Sequence, residues 1–160
     1  MHDLARELEH VLGRGSVETR ARRQQTNAHA LSAAALVDAM NRQRAAYGVG
    51  PLRLNDTLSL AASDRVGDMM RKRYFDHVSP DGVNPFTWVA RRGYRYRMIG
   101  ENLAVGYASA DRVVTGWMNS PGHRANILQK RFDEIGIAFD ESAPLRQYSG
   151  PLVVAMYGTR

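Results

Sequence analysis

Near the C-terminus, Leu152, Val153, Val154, Ala155, Met156 and Tyr157 follow one another without a polar break, and this run limits the fold more than any other feature. Alternate residues of a strand face opposite sides, so a strand of this composition is apolar on both and needs cover on both. Helical patterns elsewhere supply that cover. Ser32 is placed to cap a helix with Ala33, Leu36, Val37, Met40, Arg44 and Tyr47 on one face, stopped by Gly48 and Gly50-Pro51. Asp56 is read as the cap of a second helix, with Leu58, Ala61, Ala62, Val66 and Met69 on one stripe, running out near Arg73. Pro85 opens a short helix through Trp88 and Val89 to a Gly93 stop. Ser109 caps another, carrying Asp111 in its first turn and Val113, Val114 and Trp117 inward. The Ser120-Pro121-Gly122 corner ends that helix and begins one toward Leu128. Leu52 and Leu54 alternate briefly, Met98 to Gly106 reads as a strand, and Ile135, Ile137 and Phe139 mark another. Helices before and between a few strands predict an α/β fold, a three-layer α/β/α sandwich.

The chain has 160 residues, the size of one domain. Residues 1–30 read as a polar extension, with Leu4, Leu8, Val11 and Leu12 at helical spacing; residues 31–160 read as the domain. No stretch approaches the ~18 to 20 apolar residues that cross a bilayer, so the chain is expected not to be transmembrane. It begins Met1-His2-Asp3-Leu4, without the basic and apolar regions of a signal peptide. The expectation is therefore either a protein retained in the cell or one whose signal is missing from this sequence. Cys 0 excludes a disulfide scaffold, thiolate metal sites and thiol catalysis. Lys+Arg 22 against Asp+Glu 16 gives a net charge of +6, which favours acidic surfaces. With no nucleic-acid motif and no Gly-rich phosphate loop, nucleic acid is not an expected partner.

Of five histidines, His2, His10 and His29 lie in the extension and read as solvated. His77 and His123 each sit where a regular element gives way to a Pro/Gly-rich turn, a place from which side chains can converge on a ligand. Between them Glu101 enters an apolar strand, where a carboxylate has to be paired, hydrogen-bonded or metal-bound. Spacing alone matches no local zinc motif. Ser120 reads as a helix cap rather than a nucleophile, Asn102 as a residue that ties down its turn, and Trp88 and Trp117 as core. Tyr74, Tyr94 and Tyr96 are candidates to line a cleft. Arg91, Arg92, Arg95 and Arg97, with Arg71-Lys72-Arg73, form the densest positive stretch, either a solvated face or a holder of anionic surfaces such as lipid head groups or wall polymer.

Taken in order, Asn41-Arg42-Gln43-Arg44, Pro51-Leu52, Asn55, Phe75-Asp76-His77, Gly100-Glu101-Asn102-Leu103-Ala104, Trp117-Met118, Ser120-Pro121-Gly122-His123-Arg124 and Asn126-Ile127-Leu128 closely resemble the bacterial branch of the CAP superfamily. That superfamily takes in cysteine-rich secretory proteins, antigen 5 and pathogenesis-related 1 proteins, and the likeness runs from about residue 32 to the C-terminus. It implies an α/β/α sandwich with a small, mainly antiparallel sheet and a cleft lined by two histidines and two acids. It also implies that His77 and His123 hold a divalent metal, commonly zinc, and that Glu101 is the Gly-Glu-Asn acid. The second acid of animal and plant members follows a Trp-x-x-Glu pattern, and here that register reads Trp117-Met118-Asn119-Ser120.

The resemblance implies a secreted, periplasmic or envelope-associated protein. Its first expected role is binding a small apolar ligand such as a sterol, a lipid or a peptide. The second is metal-assisted hydrolysis of peptide or cell-wall material, with His77, Glu101 and His123 catalytic, and the third is a scaffold with a vestigial cleft. A zinc ion on the two imidazoles and the carboxylate, and a metal-free cleft in which Glu101 only orients its neighbours, both remain open at this level.

Overall fold

The structure is a computed structural model and describes residues 30–142 and 148–160. The N-terminal helix expected from Leu4, Leu8, Val11 and Leu12 lies outside the described residues, as do His2, His10 and His29. Helix α1 (Ala33–Ala46) starts where Ser32 Oγ accepts the backbone N–H of Ala35 at 3.1 Å. Strand β1 is only Arg53–Leu54. Helix α2 (Asp56–Lys72) is capped one residue earlier than expected: Asn55 Oδ1, not Asp56, accepts the Leu58 N–H at 3.0 Å. Asp56 instead occupies the first turn, where its charge faces the positive end of the helix. Helix α3 (Pro85–Arg91), strand β2 (Met98–Val105), helices α4 (Ala110–Met118) and α5 (Pro121–Ile127), and strands β3 (Glu134–Asp140) and β4 (Leu152–Thr159) complete the order.

The sheet runs β1-β3-β4-β2. Both pairings of β4 are antiparallel and the short β1–β3 pairing is parallel, so the sheet is mixed but mainly antiparallel. The apolar run of β4 divides as its alternation requires. Val153, Ala155 and Tyr157 pack with α1, α4 and α5, while Leu152, Val154 and Met156 pack with α2 and α3. Fully burying side chains of this size contributes on the order of 1.5–3 kcal/mol each, which makes the strand the centre of both cores.

Two close fits set the layers. A Cβ on Gly136 of β3 would stand 2.0 Å from the carbonyl carbon of Leu58, so only glycine lets α2 lie this near the sheet. On the other face Arg44 is 1% exposed. Its guanidinium donates to the carbonyls of Gly50, Ile127, Gln129 and Phe132 at 2.6–3.0 Å, fastening α1 to the segment after α5.

Candidate functional site

Glu101 lies on β2 and, like Leu103 two residues on, faces the α2 side of the sheet. Its side chain is 2% exposed, and its two oxygens have separate partners. Oε2 accepts from Arg65 Nε at 3.1 Å, and Oε1 accepts from His77 Nδ1 at 2.8 Å. His77 follows the C-terminal end of α2, and its side chain is 51% exposed. His123 is in the first turn of α5. The two imidazole rings face one another with centroids 6.3 Å apart and planes inclined at 52°. Residues from a helix end, a strand and a second helix thus meet at one place.

Arg65, which the sequence reading passed over, holds this arrangement from behind. It is wholly buried, and its other nitrogens donate to Tyr74 Oη and to the backbone carbonyl of Asp76, next to His77. Tyr74 Oη in turn donates to Asp68 Oδ2 at 2.8 Å, and Lys72 pairs with Asp68 at 2.9 Å. The turn beyond His77 is closed by Ser79, whose Oγ accepts the Val83 N–H at 3.0 Å. A signal for Arg65 was present in the sequence: it falls on the same stripe of α2 as Ala61, Ala62 and Met69. A charged residue there must find a buried partner.

His123 is fixed by two amides. Asn102 Nδ2 donates to the His123 carbonyl and to Tyr157 Oη, each at 3.1 Å. Asn126 Nδ2 donates to Asn102 Oδ1 at 2.8 Å and to the Glu101 carbonyl at 3.1 Å. Asn102 therefore acts within β2, tying α5 to the sheet, rather than in a turn. Gly100 permits the approach, since a Cβ there would lie 3.0 Å from Asn126 Oδ1. Ser120 occupies the cap position of α5 but makes no side-chain capping bond. Trp117 is core, donating its indole N–H to the Leu103 carbonyl at 2.9 Å. Trp88 is buried as well, its indole N–H without a partner among the described residues.

The two histidines are pushed apart in basicity. The Glu101 carboxylate on Nδ1 holds the His77 imidazole above the ordinary histidine range, against the opposing pull of burial. Burial pushes His123 down, and His77 nearby adds to that. With Nδ1 donating to Glu101, neutral His77 keeps Nε2 as its acceptor. A carboxylate behind an imidazole is the usual second layer around a metal-ligating histidine. The donor set for a cation here would be one imidazole nitrogen from each of His77 and His123. It does not supply a third protein ligand, because both Glu101 oxygens are engaged. Among the described residues no three His, Cys, Asp or Glu side chains are grouped to hold an ion.

Residues 37–157 match the family model of the cysteine-rich secretory protein family, CAP. The chain is 41% identical over 110 residues to the uncharacterized protein YkwD of Bacillus subtilis, covering 69% of this chain and 43% of YkwD. It is 28% identical over 105 residues to YlbC, an uncharacterized membrane protein of the same bacterium, covering 66% of this chain and 30% of YlbC. It spans less than half the length of either. In fold it is similar to an outer surface protein of Borrelia burgdorferi, at TM-score 0.69 and 23% identity, covering 78% of this chain and 90% of that one. It is also similar to an extracellular SCP-domain protein of Bacillus anthracis, at TM-score 0.67 and 22% identity, covering 78% of this chain and 39% of the other. These likenesses agree with the mixed three-layer architecture, and the family model extends over both sides of the histidine pair. The chain belongs to the CAP family.

Proposed function

We propose that this CAP domain is a binding module of the bacterial envelope or its exterior, whose cleft takes a divalent cation at His77 and His123 and a small apolar ligand beside it. Zinc is the first candidate for the cation; a lipid, a sterol or a peptide is the candidate for the ligand. The placement outside the cytoplasm is supported by the extracellular and outer-surface proteins that share the fold. Among the described residues no helix is long and apolar enough to cross a membrane. What supports the cleft is the chain from buried Arg65 through buried Glu101 to half-exposed His77, which fixes one imidazole opposite another. A bound zinc ion would act there as a Lewis acid, lowering the pKa of a coordinated water toward ~7. Titration of the metal-free protein with zinc should show about one equivalent bound by the donor set of two imidazoles. The paired change His77→Ala and His123→Ala should abolish that uptake, and unchanged uptake would refute the site.

One observation favours hydrolysis as a second reading. A half-exposed imidazole backed by a buried carboxylate at 2.8 Å is the arrangement of a general base. On that reading Glu101→Gln, assayed at a temperature where circular dichroism shows the variant still folded, lowers turnover of a peptide or wall-fragment substrate about a hundredfold. The absence of turnover across a broad panel of such substrates leaves the binding role.

A further inference from the structure

The positive stretch seen in the sequence does not form one surface. Arg92 forks onto Asp64 with two contacts of 2.6 Å, Arg71 reaches Asp68 at 3.5 Å, and Lys72 pairs with Asp68 and Asp81. Arg91 lies over the Trp88 ring at 5.1 Å. Arg95 and Arg97 have no ion-pair partner among the described residues. Both line a hollow of about 550 Å³ together with Tyr94, Tyr96, Thr57 and Arg160.

The hollow is positive and stiff. The Arg97 N–H donates to the Thr159 carbonyl at 2.8 Å, pinning this segment to the end of the sheet. Tyr94 is 3% exposed and donates its hydroxyl to Glu134 at 2.6 Å. The same carboxylate takes Asn55 at 3.0 Å and Arg160 at 3.3 Å, so its charge is already engaged. Asp56, adjacent to Thr57 in the chain, is not part of the lining. Tyr96 is 39% exposed, with its ring 6.4 Å from that of exposed Phe86.

We propose that this hollow is a second binding site, for the phosphate ester of a small polyol. Guanidinium forks match phosphate oxygens in pairs, and two of them stand here without a carboxylate to satisfy them. The volume exceeds what inorganic phosphate needs and falls within the roughly 300–1,000 Å³ typical of organic ligands. The exposed Tyr96 ring offers a face for the carbon skeleton that carries the phosphate. None of His77, Glu101 and His123 lines the hollow, and Thr57 stands about 12 Å along α2 from Arg65, which braces the histidine cleft, so this site is separate from that cleft. The inference therefore stands whether or not the cleft binds metal.

Glycerol phosphate is the simplest probe, because the same group is carried by anionic lipid head groups and by soluble phosphate polymers. Calorimetry at low salt with glycerol 3-phosphate, and co-sedimentation with phosphatidylcholine vesicles with and without phosphatidylglycerol, distinguish the two sources. Arg95→Ala with Arg97→Ala should weaken binding tenfold or more. Arg42→Ala with Arg112→Ala removes equal charge from helices on the other face of the sheet and should change it less than twofold. Hollow-dependent binding to glycerol 3-phosphate alone assigns a soluble ester, and hollow-dependent binding to the anionic vesicles assigns a lipid head group. If the unaltered protein binds neither probe, or both double variants lose binding equally, the site is overturned.

Discussion

A guanidinium with no access to water must spend its donors on the protein, and Arg65 spends them on Glu101, Tyr74 and the Asp76 carbonyl. Removing one member of a buried ion pair leaves the other charge uncompensated. Arg65→Met should therefore destabilise the fold by about 3–5 kcal/mol in denaturant unfolding, and adding Glu101→Gln should recover part of that loss. If Arg65→Met costs nothing, the pair does not organise the site. The histidines give a second test at this scale. In metal-free protein followed by NMR, His77 should titrate above the ordinary 6.5 and His123 below it. The signs for stability are opposite. The His77 contribution is fully present below pH 6.5 and is lost as pH rises through its raised folded value. Neutral burial of His123 costs stability as pH falls from 6.5 toward its lowered folded value. In His77→Ala the His123 midpoint should move upward yet stay below 6.5, since burial is the larger cause. A His123 midpoint above 6.5 in either protein would contradict the burial argument.

Caps and periodicity carried most of the element-level reading. Ser32, Ser109 and Pro85 mark helix starts because each acts on its own neighbours, through a hydroxyl or a fixed φ. Asn55 and Asp56 are both good caps, and the choice between them rests on the pairing of β1, where the Asn55 N–H is held by the Ile135 carbonyl at 2.8 Å. That partner is remote in the chain, and so is the parallel pairing of Arg53 with Glu134. Neither leaves a local trace. Gly136 is of the same kind: its need for glycine comes from Leu58 on another element. Gly136→Ala should destabilise by at least ~1–3 kcal/mol, the usual cost of overpacking, with α2 displaced from β3. An unchanged midpoint in thermal or denaturant unfolding would mean that the close approach is relaxed at little cost.

At the scale of the molecule, one strand buried on both faces dictated two helical layers, and the layers brought together residues no spacing rule connects. His77, Glu101 and His123 were recognisable only as parts of separate motif blocks, because their meeting depends on how α2, β2 and α5 stack. Arg65 was hidden for a different reason: its stripe is mostly apolar, and the pattern absorbs its charged members, Arg65 and Asp68, without a break. The basic hollow combines the segment after α3 with Arg160 at the far end of the chain, and composition alone spread its charge over a wider patch. The proposed cation site needs two imidazoles, one braced by Glu101 and Arg65, to share a single ion. Anomalous scattering at the zinc edge from crystals of the zinc-loaded protein would locate that ion. One peak is expected between the rings of His77 and His123. No peak there, or zinc bound only elsewhere on the surface, would rule the site out.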